Sequence, residues 1–213
     1  MTQAEAKVIR LRPELDDWGR DDTAVQVANA LALLRWSVSL GGAAHLPAGR
    51  PALVVTSSRL FAQTVPMVAW ALQRQCGRTV RFVGRPDVAP LGQFVQRLGG
   101  LRADAAEVAG ALSHGEIVVV GTQTVRQTRR AGAVPEDMVA AAMKFGAPVL
   151  PAAAVSSPLS RSARVELGAP VRAPQQRRGP LGPLELAELV RRRLQGMLDE
   201  LGGIAVLDLI GDA

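Results

Sequence analysis

A chain of 213 residues that is 48% apolar and 21% charged has enough material for one sizeable core and too little for two, so a single globular domain is expected. Its formal net charge of +6 is carried almost wholly by arginine: of 25 basic residues only Lys7 and Lys144 are lysine, a bias that reflects either GC-rich coding or attraction to anionic headgroups and phosphorylated substrates. Nucleic acid is not an expected partner, because the basic residues alternate with apolar ones and aromatic residues make up 3% of the chain with no tyrosine, leaving no stacking platform.

In chain order, Met1 to Leu15 carries charge and no apolar run, so no signal peptide is expected. Asp21, Asp22 and Thr23 offer caps for a first amphipathic helix whose apolar positions are Val25, Val27, Leu31 and Leu34. Trp36, Val38 and Leu40 alternate with serines and predict a short strand ending at Gly41-Gly42. The compact run Ala52 to Val55 predicts a strand covered on both faces. Leu60 to Gln75 reads as a helix with Pro66 in its first turns and Gly77 after its end. Strands follow at Val80 to Val83 and Ile117 to Val120, with helices at Leu91 to Leu98 and Glu107 to Leu112 between them. Met138 to Lys144 reads as helix, Pro148 to Val155 as a proline-interrupted strand and Ala163 to Leu167 as another. Arg172 to Gly179 is expected to be a solvated loop, and Gly179 to Pro183 a break before a long amphipathic helix with Leu186, Leu189, Val190, Met197, Leu198 and Leu201 on one face.

This alternation predicts an α/β fold: one domain with a mostly parallel central sheet flanked by helices, and amphipathic helices at both ends. Residues 1–20 are set apart as an N-terminal segment and a candidate for flexibility, 21–201 as the domain, and 202–213 as an apolar tail too short to span a bilayer. Cys76 alone cannot form an intramolecular disulfide, which agrees with a reducing cytoplasm.

Several runs resemble the glycerophospholipid (lysophospholipid or 1-acylglycerol-3-phosphate) acyltransferase family. Gly42-Ala-Ala-His45-Leu46-Pro47, followed by the run Ala52 to Val55, is similar to that family's G-x-E-N-L-P and buried strand. Val80 to Arg85 resembles V-x-F-x-A-K, Leu98 to Asp104 resembles L-G-A-I-x-V-D, and Gly115-Glu116 leads a strand into Gly121-Thr122-Gln123-Thr124-Val125-Arg126, where the family has F-P-E-G-T-R. Gly146 to Pro151 and Ala163 to Pro170 are similar to its closing strands.

The departures fall on the chemistry. The family works through a His-x-x-x-x-Asp dyad, in which the histidine removes a proton from a glycerol hydroxyl attacking an acyl thioester. Here the asparagine-histidine pair is replaced by Ser57-Ser58 and the aspartate by Gln63; slipping the register by one gives Ser57 and Ala62, which is no better. The arginine after the family's aspartate is Ala105, and the glutamate of its third motif is Gln123. Serine does not hold a proton at neutral pH and glutamine cannot orient a base, so Ser58, Gln63 and Gln123 are motif positions without ordinary catalytic capacity. Arg126, Arg85 and Ser57 are the residues the resemblance offers for binding substrate or phosphate. His45 is expected in a connecting loop, His114 at the surface or as a helix cap, and Cys76 as a small buried residue; Ser58 lacks the Gly-x-Ser-x-Gly elbow of a free-standing nucleophile.

Three readings of function follow. The first is a non-catalytic protein that binds lipid or acyl groups, or regulates an active enzyme, in phospholipid or glycolipid metabolism. The second is an acyltransferase with an atypical base, drawing on acyl-CoA or acyl-ACP as donor. The third is a protein interaction module on the same fold. No cofactor or metal is called for in any of them. The expected partners are an anionic membrane surface and an active acyltransferase or other protein, and the expected location is cytoplasmic, with the inner membrane face as a peripheral address. Leu60, Phe61, Val65, Val68 and Trp70 on the helix after the candidate site, with Arg59, Arg74, Arg126, Arg129 and Arg130 nearby, either face such a membrane or pack on the sheet.

Overall fold

The computed structural model describes residues 15–35, 37–58, 64–124, 130–156, 162–172, 179 and 181–210, with backbone alone for Arg35, Ser156 and 202–210. Among the described residues seven strands form one sheet: β1 (Ser37–Gly41), β2 (Ala52–Thr56), β3 (Val80–Val83), β4 (Gly100–Leu101), β5 (Ile117–Gly121), β6 (Val149–Ser156) and β7 (Ser162–Leu167). Their order is β1-β7-β6-β2-β5-β3-β4, and every pairing is parallel except β6 with β7. The helices are α1 (Asp22–Arg35), α2 (Thr64–Cys76), α3 (Leu91–Arg97), α4 (Ala105–Ser113), α5 (Glu136–Lys144) and α6 (Leu181–Ile210).

The apolar runs read from the sequence are the middle of this sheet. Successive side chains of a strand point to opposite faces, so Leu53, Val55, Val118 and Val120 pack under α4, α5 and α6. Ala52, Val54, Ile117 and Val119 pack under α2. A sheet buried on both faces needs continuous rather than alternating hydrophobicity, which is what Ala52–Val55 and Ile117–Val120 supply.

Pro151 sits inside β6 without breaking it. A residue's C=O and N–H point to the same side of a strand, and the Pro151 carbonyl accepts from Gly168 N–H at 2.8 Å, just past the end of β7. Its missing donor therefore falls beyond the ladder, where no partner strand requires it.

Three expectations change. The first helix forms where expected, with Asp21 Oδ1 accepting from the Thr23 and Ala24 N–H groups, but only Val25 of its apolar positions is buried. Val27, Leu31 and Leu34 stay exposed: α1 rests on α3 and turns its leucines outward. Pro183 does not stand outside the last helix but in its first turn, where backbone N–H groups lack helical acceptors and a missing one costs little. That helix continues through Gly202 and Gly203 to Ile210.

Residues 15–20 pack against the edge of the sheet. Arg81 on β3 is 1% exposed and donates to both oxygens of Glu116 and to Asp16 Oδ2 at 2.5 Å; the Trp18 ring lies 5.8 Å away. Asp16 also accepts from the N–H groups of Trp18 and Arg20, each at 2.9 Å. Burial works to raise the Asp16 carboxyl, but the Arg20 N–H and the Arg81 charge outweigh it, and the group is held below the ordinary carboxylate range.

Candidate ligand site at the carboxyl edge of the sheet

In an open parallel sheet ligands gather outside the carboxyl ends of the strands, and here β2 and β5 end together, Thr56 paired with Gly121. The two chains that leave them are tied to each other. Thr122 N–H donates to the Thr56 carbonyl at 2.9 Å, Ser58 N–H donates to Thr122 Oγ1 at 3.2 Å, and Ser58 Oγ lies 3.5 Å from Thr124 Oγ1. Gln123 is exposed and donates its N–H to the Ala133 carbonyl at 2.7 Å. Gly121 permits this closeness: a Cβ there would stand 3.0 Å from Val65 Cγ2 and 3.1 Å from Ser58 Cβ.

Two hydroxyls at this edge are buried without a hydrogen-bond partner among the described residues. Thr56 Oγ1 and Ser57 Oγ belong to residues that are 0% and 1% exposed. An unsatisfied buried hydroxyl costs about 1–3 kcal/mol, so the end of β2 holds polar capacity that no described residue uses.

Arg85 reaches the same edge one strand beyond β5, but its guanidinium is engaged. Its NH2 lies 3.4 Å from Glu107 Oε1, which also takes Arg102 Nε at 2.7 Å, while Glu107 Oε2 accepts the Arg102 N–H at 2.8 Å. Burial would raise the Glu107 carboxyl; the Arg102 hydrogen bonds and the Arg85 charge override it and hold the group low. Asp104 caps the helix carrying Glu107, accepting from Ala106 N–H at 2.8 Å.

Of the residues singled out from the sequence, Ser57, Ser58 and Gln123 stand together at the ends of β2 and β5, and Arg85 stands beyond them facing Glu107. Gln63 and Arg126 lie outside the described residues, as do Leu60, Phe61, Trp36 and Arg129. Val68 of α2 is buried against the sheet, and Trp70 is buried as well. His45 ends a short 3-10 helix and is exposed; His114 caps α4, its Nδ1 donating to the Gly110 carbonyl at 2.9 Å. Cys76 is half-buried at the end of α2. Thr56, Thr122, Thr124 and Glu107 were not singled out from the sequence. Threonines in and after apolar strands carry no distinctive spacing, and Glu107 enters the sequence reading only as the first residue of a helix.

The opposite edge is closed by a different device. Arg78 donates to the carbonyls of Pro47, Arg50 and Gly115 at 3.0, 2.7 and 2.8 Å, and beside it a cavity of about 460 Å³ is lined by Leu46, Pro47, Gln75 and Cys76 among others. Among the described residues no three His, Cys, Asp or Glu side chains gather as a metal site requires, and no helix is long and apolar enough to cross a membrane.

No family model and no curated protein matches the chain. Its structure is similar to that of the 1-acyl-sn-glycerophosphate (LPA) acyltransferase PlsC from Thermotoga maritima, with a TM-score of 0.58 and 18% identity over 84% of this chain and 78% of that one. The single domain with its mostly parallel seven-stranded sheet thus has the acyltransferase fold that the resemblance of its motifs implied.

Proposed function

We propose that this chain is an acyltransferase-like protein that binds a lipid or acyl group at the carboxyl edge of its sheet without carrying out ordinary acyl transfer, and acts as a binding or regulatory partner in phospholipid or glycolipid metabolism. One observation carries the reading: where the resemblance calls for a general base, the side chain is that of Ser58, whose hydroxyl has Thr124 Oγ1 as its neighbour among the described residues while its N–H donates to Thr122 Oγ1. Losing a general base lowers such a rate by about 100- to 10,000-fold. The unpartnered hydroxyls of Thr56 and Ser57 suit a carbonyl or ester oxygen of a neutral ligand, since each can donate.

The test has two arms on the full chain. Acyl-CoA and lysophosphatidate are incubated with the protein and the product is followed by chromatography; in parallel, purified protein is extracted under denaturing conditions and its lipids identified by mass spectrometry. The expected result is no transfer above buffer, with acyl lipid recovered from the wild type and less from Ser58→Trp. Transfer that disappears in Ser58→Ala overturns the proposal in favour of an atypical enzyme. An empty protein that takes up no lipid overturns it in favour of an interaction module.

A further inference from the structure

A second concave site lies at the amino edge of the sheet, away from Ser58. The parallel strands β2, β3 and β5 start there, and Gly77, with a φ of 61°, turns the chain out of α2 so that Arg78 comes to lie beside their starts. Arg78 donates to the Pro47, Arg50 and Gly115 carbonyls at 3.0, 2.7 and 2.8 Å, which fixes the guanidinium in place. All three acceptors are neutral, so the positive charge is held without being cancelled. A guanidinium has five N–H groups; three bonds occupy three of them, and two remain for a ligand.

The cavity of about 460 Å³ beside Arg78 is of the size that takes a small molecule. Leu46 and Cys76 line it and pack against the apolar cluster that α2 covers, Ala43, Pro47 and Ala48 line it from the segment between β1 and β2, and Gln75 adds an exposed amide. The charge around it is one-sided. Between Asp22 and Asp87 the chain has seven arginines and no aspartate or glutamate, and every residue lining the cavity comes from that stretch. Gln75 and Cys76 end α2, whose carbonyl end carries about half a negative charge; the full charge of Arg78 outweighs it.

We infer that this cavity binds a small organic carboxylate, with the carboxylate on Arg78 and the apolar body against Leu46, Pro47 and Cys76. The apolar lining disfavours a bare inorganic anion, which would leave that surface facing water. The uncancelled guanidinium favours an acid over the matching alcohol, since a charge-assisted hydrogen bond is roughly twice as strong as a neutral one. The site stands across the sheet from the candidate lipid site and does not rest on that reading.

The chain's single cysteine reports occupancy, because Cys76 lines the cavity. Octanoate is the probe, 1-octanol supplies the same body without the charge, and inorganic phosphate supplies charge without the body. The rate of Cys76 alkylation by iodoacetamide is measured on the full chain, with affinities from isothermal titration calorimetry and the fold of each variant checked by circular dichroism. Octanoate is expected to bind with a Kd of about 1 mM or tighter and to slow alkylation at least about fivefold at saturation, with octanol and phosphate at least about tenfold weaker. Added salt should weaken octanoate binding. Arg78→Met should lose at least about tenfold in affinity. Because that change also releases three carbonyls, Ala48→Phe is the second variant: it fills the cavity, leaves the Arg78 bonds in place, and should abolish protection with unchanged melting. A Cys76 that octanoate does not protect, or an Ala48→Phe protein that binds as the wild type does, overturns the site. Octanol or phosphate that binds as tightly as octanoate overturns the ligand class. A folded Arg78→Met protein with unchanged affinity overturns the role of Arg78.

Discussion

Arg81 offers the sharpest test of how the N-terminal segment is held. Its guanidinium is almost wholly buried between Glu116 and Asp16, with the Trp18 ring over it. Arg81→Met keeps most of the volume and removes the charge, leaving two carboxylates that face each other across an apolar side chain. Stripping one partner from a buried ion pair costs about 3–5 kcal/mol; here Glu116 and Asp16 keep 15% and 36% of their side-chain exposure, so water relieves part of the loss and about 3 kcal/mol is expected. For a domain of this length that is a fall of roughly 6–12 °C in Tm. Urea denaturation followed by circular dichroism measures it, and hydrogen exchange should show residues 15–21 losing protection first, since Asp16 ties that segment to β3. Adding Glu116→Gln should recover part of the loss, because it removes one stranded charge. The exposed pair Arg191–Glu188 is the control, since Arg191→Ala should cost no more than about 0.5 kcal/mol. An Arg81→Met protein within that same margin of wild type, or a double variant whose losses simply add, would refute the reasoning.

Asp16 and Glu107 are both held below the ordinary carboxylate range, so their contribution to stability is complete above the unfolded values of about 4 and is lost as pH falls through the lower folded ones. The urea midpoint should therefore stay level from neutrality to about pH 5 and drop below about pH 4; Asp16→Asn should flatten that acid limb, and an unchanged slope would count against the assignment. Gly121→Ala crowds Ser58 and Val65 and should cost about 1 kcal/mol or more while reducing recovery of bound lipid; a neutral outcome on both readouts would mean that the two chain ends are not packed as described. Asp104→Ala removes the cap of α4 and should lower stability by about 1 kcal/mol with an unchanged denaturant slope.

The core of the fold was legible because it depends on local chemistry. Ala52–Val55 and Ile117–Val120 are unbroken aliphatic runs, rich in β-branched residues and bounded by Pro51 and Gly121, and a strand buried on two faces has few other ways to be written. Asp21 marked a helix start by a side-chain oxygen that reaches only a few residues along the chain. The candidate site was half legible. Ser57, Ser58 and Gln123 were found as substitutions at positions of a recognised pattern, and the parallel pairing of β2 with β5 then brought them together.

The amino acids themselves settled the core strands, most of the helices, and that one α/β domain forms. Contacts between segments far apart in sequence settled the rest, because no local pattern encodes them. Arg81 looks like an ordinary charged residue in a strand until Asp16 and Glu116, 65 and 35 residues away, close around it. Arg85 looks like a free cation until Glu107 takes it. The leucines of α1 look like a buried stripe by their spacing alone, and only the position of α3 under the other side of the helix leaves them facing out. Periodicity tells which residues share a face; which neighbour covers that face is decided by the fold as a whole.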